Sequence, residues 1–244
     1  MSKDISGNQN NTDFFGDFVA VASNKILDEK KPDRYQSFFL VLGLIFNDLK
    51  DLLHMRHLFK ETYRKPDITE VNVHMGEYSG FISHNDRLLI ATISEMFLFL
   101  KEYSDVTSSI KFRFLLKNLT EKETRKWNEL NNYKVDKNSL FGRIAQLRSN
   151  AVFHYDHHNE LRKGFIDCFF IKKDDFPQYN KAYYYSVNNM RTTRFFFSDA
   201  AADGYMKILL TQEEINGLGD TMGDINNVVR ALMLTHLNSV KAKK

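Results

Sequence analysis

The sequence predicts a mainly α protein, a helical bundle with a small β-hairpin appended near the C-terminal end, on three observations. Among 244 residues there are only 3 Pro and 11 Gly against 21 Phe and 11 Tyr, so the chain is poor in helix breakers and rich in side chains that must be buried. Apolar residues recur at helical spacing through most of its length. That pattern changes at Tyr183–Val187 and Arg194–Phe197, where β-favouring aromatic and branched residues flank Asn188-Asn189. A hydrophobic fraction of 43% supports a core without covalent staples.

Taken in order, residues 1–12 are polar and lack the apolar stretch of a secretory signal, and they read as a disordered tail. Thr12 and Asp13 are candidate caps for a helix to about Asp28, with Phe14, Phe18, Val21 and Ala22 on one side. Pro32 begins the next element, and Asp33–Lys65 reads as one long helix with the stripe Leu42, Phe46, Leu49, Leu53, stopped before Pro66. Its start, Phe38–Phe46, is apolar all round and is expected to be deeply buried. A bilayer span needs about twenty apolar residues, so this shorter run is expected in a core and the protein is expected to be soluble. Asp86–Tyr103 carries the stripe Leu89, Ile93, Met96, Leu100 and should be a central helix.

Thr120 with Glu123 is a capping-box pattern opening a polar, Trp127-containing helix, expected on the outside. Asp136 opens a helix leading into Arg148–His154, and a further helical pattern runs from about His157 to Phe170. After Lys172–Asp175 and Pro177 comes the hairpin. Thr211 with Glu214 is a second capping box, and Ile225, Val228, Val229, Leu232 and Leu237 mark a closing helix. The expected organisation is a tail over 1–12, a helical bundle over 13–170, and a hairpin with closing helices over 171–244 packed on the same domain.

A net charge of +3 permits contact with nucleic acid without requiring it. Arg56, Lys60, Arg64 and Lys65 cluster on the first long helix, and Lys241, Lys243 and Lys244 form a basic tail; both read as solvated faces. The single Cys168 excludes an intramolecular disulfide and points to a reducing, cytoplasmic setting. Its apolar neighbours Phe169, Phe170 and Ile171 suit a buried, inert thiol better than a nucleophile.

The stretch Leu147-Arg148-Ser149-Asn150-Ala151-Val152-Phe153-His154-Tyr155-Asp156 carries the most chemistry. Arg148 offers a permanently charged planar fork suited to phosphate oxygens. His154, near a reference pKa of about 6.5, can take or give a proton at neutral pH. On a helix Arg148 falls between two apolar stripes, Leu140-Ile144-Leu147-Ala151 and Phe141-Ala145-Val152, and Asn150 sits one turn before His154, close enough to orient its ring. The arginine and histidine are then about 120° apart with roughly 9 Å of rise. To converge on one phosphate they need a break in the helix, a long reach by Arg148, or a second copy of the chain, which motivates a homodimer with a shared cleft.

With five residues between Arg148 and His154, the segment resembles the HEPN superfamily, helical-bundle proteins marked by an arginine, four to six intervening residues and a histidine near a helix end. The ending Phe153-His154-Tyr155-Asp156 is similar to bacterial HEPN-like proteins of defence and toxin systems. Active members more often carry Asn, Asp or His directly after the arginine, where this chain has Ser149 with Asn150 one step on. The resemblance covers Asp136 to Phe170 and the preceding helices. It implies RNA cleavage without a metal across a dimer interface, with His154 moving the proton, Arg148 stabilising the phosphoryl oxygens and Asn150 holding the imidazole. A cognate antitoxin or regulatory protein is the further partner it implies.

Other readings compete. Arg148 could bridge to an acidic neighbour such as Asp167 while His154 sits at a packing edge. His154, His157 and His158 have metal-like spacing, as does Asp51 with His54, but no cysteine pair or second carboxylate motif accompanies them, so no metal and no cofactor is expected. The glycines of Gly217–Gly223 do not match a dinucleotide loop and read as a turn or close helix packing. Tyr183–Tyr185 and Phe195–Phe197, interleaved with Lys181, Arg191 and Arg194, could stack bases, although they also suit a hairpin docked on helices. The functional expectation is a HEPN-like metal-independent ribonuclease. The alternatives are a non-catalytic helical module binding a nucleotide or protein partner, and an architectural dimer.

Overall fold

Two long helices carry the fold, and their apolar stripes explain why they lie together. In the computed structural model, which describes residues 19–31, 33–67, 71–132, 138–147, 158–186 and 193–241, a single short turn α1 (Ser23–Ile26) precedes α2 (Arg34–Thr62) and α3 (Val73–Glu102). Of the helix expected up to Asp28, the part before Val19 lies outside the described residues, and over 19–28 the expectation is corrected: only the turn Ser23–Ile26 is helical, with the chain extended on either side. Asp33 caps α2 by accepting from the Tyr35 amide at 3.0 Å, and Asn72 caps α3 by accepting from the Met75 amide at 2.9 Å. Phe38, Leu42, Ile45 and Leu49 of α2 pack with Leu89, Ile93, Met96 and Leu100 of α3 in one core. Each such side chain contributes roughly 1.5–3 kcal/mol by leaving water.

Helix α3 begins thirteen residues earlier than its apolar stripe suggests, at Val73 rather than Asp86. Its first half carries Ser79, Gly80, Ser83 and Asn85 where apolar residues would have signalled it: Gly80 packs on Arg194 of the hairpin, Ser83 donates to Asp203 of a later helix, and Asn85 donates to the Leu52 carbonyl of α2 at 3.2 Å. The start of α2 departs from expectation in the other direction. Phe38, Phe39, Leu42 and Ile45 are buried, but Leu40 and Leu44 remain 54% and 60% exposed. The bundle covers only one side of this stretch among the described residues.

Short helices α4 (Ser104–Thr107), α5 (Ile110–Leu116) and α6 (Glu121–Asn131) follow. The capping box of α6 forms, with Thr120 and Glu123 satisfying each other's backbone amides. This helix is less external than its polarity suggests, because Trp127 and Leu130 are fully buried against the core and only the charged side is solvated. Helix α7 (Leu140–Leu147) runs antiparallel to α3: the rings of Phe141 and Phe97 are 5.9 Å apart, and Ser94 donates to the Ile144 carbonyl at 3.4 Å.

Helix α8 (His158–Ile166) continues into a π-helical turn, Asp167–Ile171, and a 3₁₀ turn at Pro177–Tyr179. The hairpin forms, and among the described residues it pairs Tyr185 with Arg194 and Ser186 with Thr193 in antiparallel strands β1 (Tyr185–Ser186) and β2 (Thr193–Arg194), while Tyr183 and Tyr184 lie before the strand. The strand expected over Arg194–Phe197 is corrected: from Phe196 the chain is α9 (Phe196–Leu209). The three alanines Ala200–Ala202 are strong helix formers and bury their small faces, which outweighs the local β preference of the phenylalanines. The second capping box forms at Thr211 and Glu214, opening α10 (Gln212–Asn216). Gly217 then makes a turn and α11 (Leu218–Lys241) closes the bundle, burying Met222, Ile225, Val229 and Leu232. Gly219 and Gly223 lie inside α11, where neither is demanded by close packing, since a Cβ would meet Arg56 at 3.6 Å at the first and nothing within 4 Å at the second. No described helix is long and apolar enough to cross a membrane.

Helices α8 and α9 cross backbone to backbone. A Cβ on Gly204 would come within 2.5 Å of the Gly164 carbonyl oxygen and 2.7 Å of Cys168 Sγ, and one on Gly164 would meet the Ala201 carbonyl and, at 2.5 Å, the Tyr205 amide nitrogen. Because those neighbours, Cys168 Sγ apart, are backbone atoms that cannot rotate aside, Gly164→Ala or Gly204→Ala should destabilise the protein by about 1–3 kcal/mol, read as a lower denaturant midpoint. Gly223→Ala, where a Cβ meets nothing within 4 Å, should be neutral or stabilising.

Candidate anion-binding cleft

The buried stripes of α2 and α3 each end in a charge. Continuing Leu42-Leu49-Leu53 by one turn gives Arg56, and preceding Leu89-Ile93-Met96 by one turn gives Asp86. The two meet as a buried ion pair, Arg56 Nε to Asp86 Oδ1 at 2.8 Å, with side chains only 9% and 4% exposed. The cluster expected to be solvated over Arg56–Lys65 is thus split: Arg56 points inward and Lys60, Arg64 and Lys65 stay exposed. Burial pushes the Asp86 carboxyl up, and the hydrogen bond and charge of Arg56 pull it back without cancelling the effect.

On the solvent side of this pair lies a cleft of about 680 Å³. Helix α2 and the residues after it contribute Arg56, Lys60 and Lys65; α3 contributes Tyr78, Ser79, Ser83 and Asp86; α9 contributes Asp203 and Lys207; and α10 contributes Gln212 and Asn216. Four cations therefore face two carboxylates. Burial and then the neighbouring Arg56 charge lower the Lys60 pKa against the opposing pull of Asp86 and Asp220, so the charged ammonium is disfavoured there. An anion bound there would favour it.

Asp203 sits at the back of the cleft, hydrogen-bonded by the buried Ser83 hydroxyl. Desolvation pushes its pKa up to about 6, against the stabilising effects of Ser83, Lys207 and Arg87. Asp199 beside it is held by two arginines, Arg87 Nη2 at 3.3 Å and Arg194 Nε at 2.9 Å. Arg194 also reaches Glu77, at 3.3 Å, and Tyr185 donates to the same carboxylate. These bonds lock the hairpin onto α3 and α9.

Ser79, Ser83, Asp86, Ile90, Ser94 and Phe97 form one face of α3 at helical spacing. The first half lines the cleft and the second half lies under α7. Since α7 is antiparallel to α3, its buried last residue, Leu147, is directed toward the cleft, about 7 Å of helix rise short of Asp86.

The sequence-predicted Arg148, Asn150 and His154 lie outside the described residues. So do His157 and the side chain of His158. Asp167, weighed as a partner for Arg148, pairs with Lys172 at 2.6 Å, and Arg143 pairs with Glu214 of α10. Cys168 is buried, donates to the Ala200 carbonyl at 3.4 Å, and has its thiol pKa pushed up by burial, the opposite of an activated nucleophile. Arg56, Asp86, Asp203 and Lys207 were missed as a group. The signal for the first two was present, since a charged residue at a core position of an apolar stripe needs a buried partner. Asp203 and Lys207 carried no such signal. No known protein family, no curated protein and no solved structure matches this chain.

Two outcomes are expected. Arg56→Ala leaves Asp86 buried without its partner and should lower stability by about 3–5 kcal/mol in equilibrium unfolding. For anion binding, Asp203 is mostly ionised at pH 7 and mostly neutral at pH 5, given its pKa of about 6. Losing that negative charge beside Lys207 removes repulsion, so sulfate should bind about 3- to 10-fold more tightly at pH 5 than at pH 7. Asp203→Asn should flatten this dependence in calorimetric titration.

Proposed function

We propose that the protein holds RNA phosphates in the basic cleft and cleaves the phosphodiester without a metal, as the HEPN-like ribonucleases it resembles do. The observation that carries this reading is the course of α7, whose buried end at Leu147 is directed along α3 toward Arg56, Lys60 and Asp86, with Arg148 next in the chain. Chemically, a ribose 2′-hydroxyl loses its proton to His154 and attacks the adjacent phosphorus. The P–O5′ bond breaks, and the leaving oxygen takes a proton. Arg148 stabilises the charge that grows on the phosphoryl oxygens and Asn150 orients the imidazole, each role contributing roughly 2–4 kcal/mol. Lys60, Lys65 and Lys207 position the flanking phosphates.

A homodimer formed through the segment carrying Arg148 would complete the site, and a bacterial toxin or defence role, with a cognate antitoxin and a cytoplasmic setting, fits the resemblance and the lone buried thiol. A second reading, a non-catalytic module that binds a nucleotide, is favoured by the cleft itself, where cations and hydrogen-bonding groups are assembled without help from Arg148 or His154.

Purified protein in EDTA should cleave single-stranded RNA, and His154→Ala or Arg148→Ala should each lower the rate about 100- to 1000-fold. Equal cleavage by wild type and His154→Ala removes the proposed chemistry. Tight nucleotide binding with no turnover by any form supports the second reading, and absence of both leaves an architectural role.

A further inference from the structure

Behind the cleft, Ser79, Asp203 and Lys207 form a wall shared with a smaller chamber of about 120 Å³. The buried rings of Tyr179 and Phe196 line it, beside Gly80, which is packed against the Arg194 guanidinium. Two acceptors border it. The amide oxygen of Gln178 is buried and accepts no hydrogen bond among the described residues. Asp203 accepts from Ser83 through Oδ1 and lines the chamber. A buried acceptor without a donor is destabilising by about the desolvation of that group, so a chamber built this way is complementary to a flat ligand that donates. Lys207, whose Nζ donates to Tyr179 at 3.4 Å, stands where chamber and cleft join.

We infer that this chamber is a base-recognition subsite for a nucleotide whose base carries an exocyclic amine, with the phosphate of that nucleotide held at the mouth by Lys60 and Lys65. The inference rests on the reading of the cleft as a phosphate site. The chamber matches a nucleobase in size, and its rings suit a planar heterocycle. The amine of adenine or cytosine donates to Gln178 Oε1 and Asp203. Uracil presents a carbonyl at the corresponding position, acceptor against acceptor, and a site built to receive a donor rejects an analogue that lacks it far more strongly than an apolar pocket rejects a missing methylene.

The test is equilibrium binding of the full chain to AMP, CMP, UMP and ribose 5-phosphate, with octamers of adenylate and uridylate as the polymeric arm. AMP and CMP should bind at least about 10-fold more tightly than UMP, and UMP should match ribose 5-phosphate. The same order in the octamers assigns the base to an RNA chain; preference confined to the mononucleotides assigns it to a free nucleotide. Gln178→Leu should erase the preference while leaving ribose 5-phosphate affinity unchanged, and Gln178→Glu, which keeps an acceptor, should retain it. Equal binding of all four small ligands overturns the base subsite and leaves the phosphate cleft standing, as does a full preference surviving in Gln178→Leu. Failure of every ligand to bind overturns the cleft reading and the subsite with it.

Discussion

A charge taken out of water must find an opposite charge, and here that requirement sets how the two longest helices lie against each other. Arg56 and Asp86 occupy core positions of α2 and α3, and only one axial placement brings them to 2.8 Å. With that placement fixed, the apolar residues to one side of the pair interdigitate into the main core. The polar residues to the other side, Ser79 and Ser83 on α3 with Lys60 on α2, cannot close up on one another and leave a cleft. Core and cleft are two halves of one pair of helix faces, divided by an ion pair.

The same division organises the later elements. Helix α7 covers the apolar half of the α3 face, and α9 delivers Asp203 and Lys207 to the polar half, while the Glu77–Arg194–Asp199 cluster ties the hairpin to both α3 and α9. Arg56, Asp86, Arg194 and Asp199 are therefore held in place by salt bridges. Residues assembled this way lose little further freedom when a ligand arrives, which favours affinity.

Much of the architecture was legible in the sequence because periodicity and capping are local signals. Asp33, Thr120 with Glu123, and Thr211 with Glu214 all begin helices where their side-chain chemistry says they should. The first half of α3 was not legible, since its buried face is polar and its partners lie more than a hundred residues away, as Ser83 and Asp203 show. Phe195–Phe197 misled because β preference is a local tendency, whereas the following alanines are buried by α8. The Arg148–His154 spacing was read as chemistry directly from the chain. The cleft was not, because Lys60 looks like any exposed helix lysine until Lys207 is brought to face it. Arg56 and Asp86 did announce themselves, each by standing at the end of an apolar stripe.

The backbone crossing at Gly164 and Gly204 reaches beyond stability. Side chains at most helix contacts can exchange rotamers to absorb a small displacement, but two peptide ridges in direct touch have no such slack. The residues on either side of that joint, Tyr179 following α8 and Ala200 and Asp203 on α9, are consequently held as by a rigid mould. A pocket cast between them would select among guests by refusing those of the wrong outline, not by reshaping itself around each one.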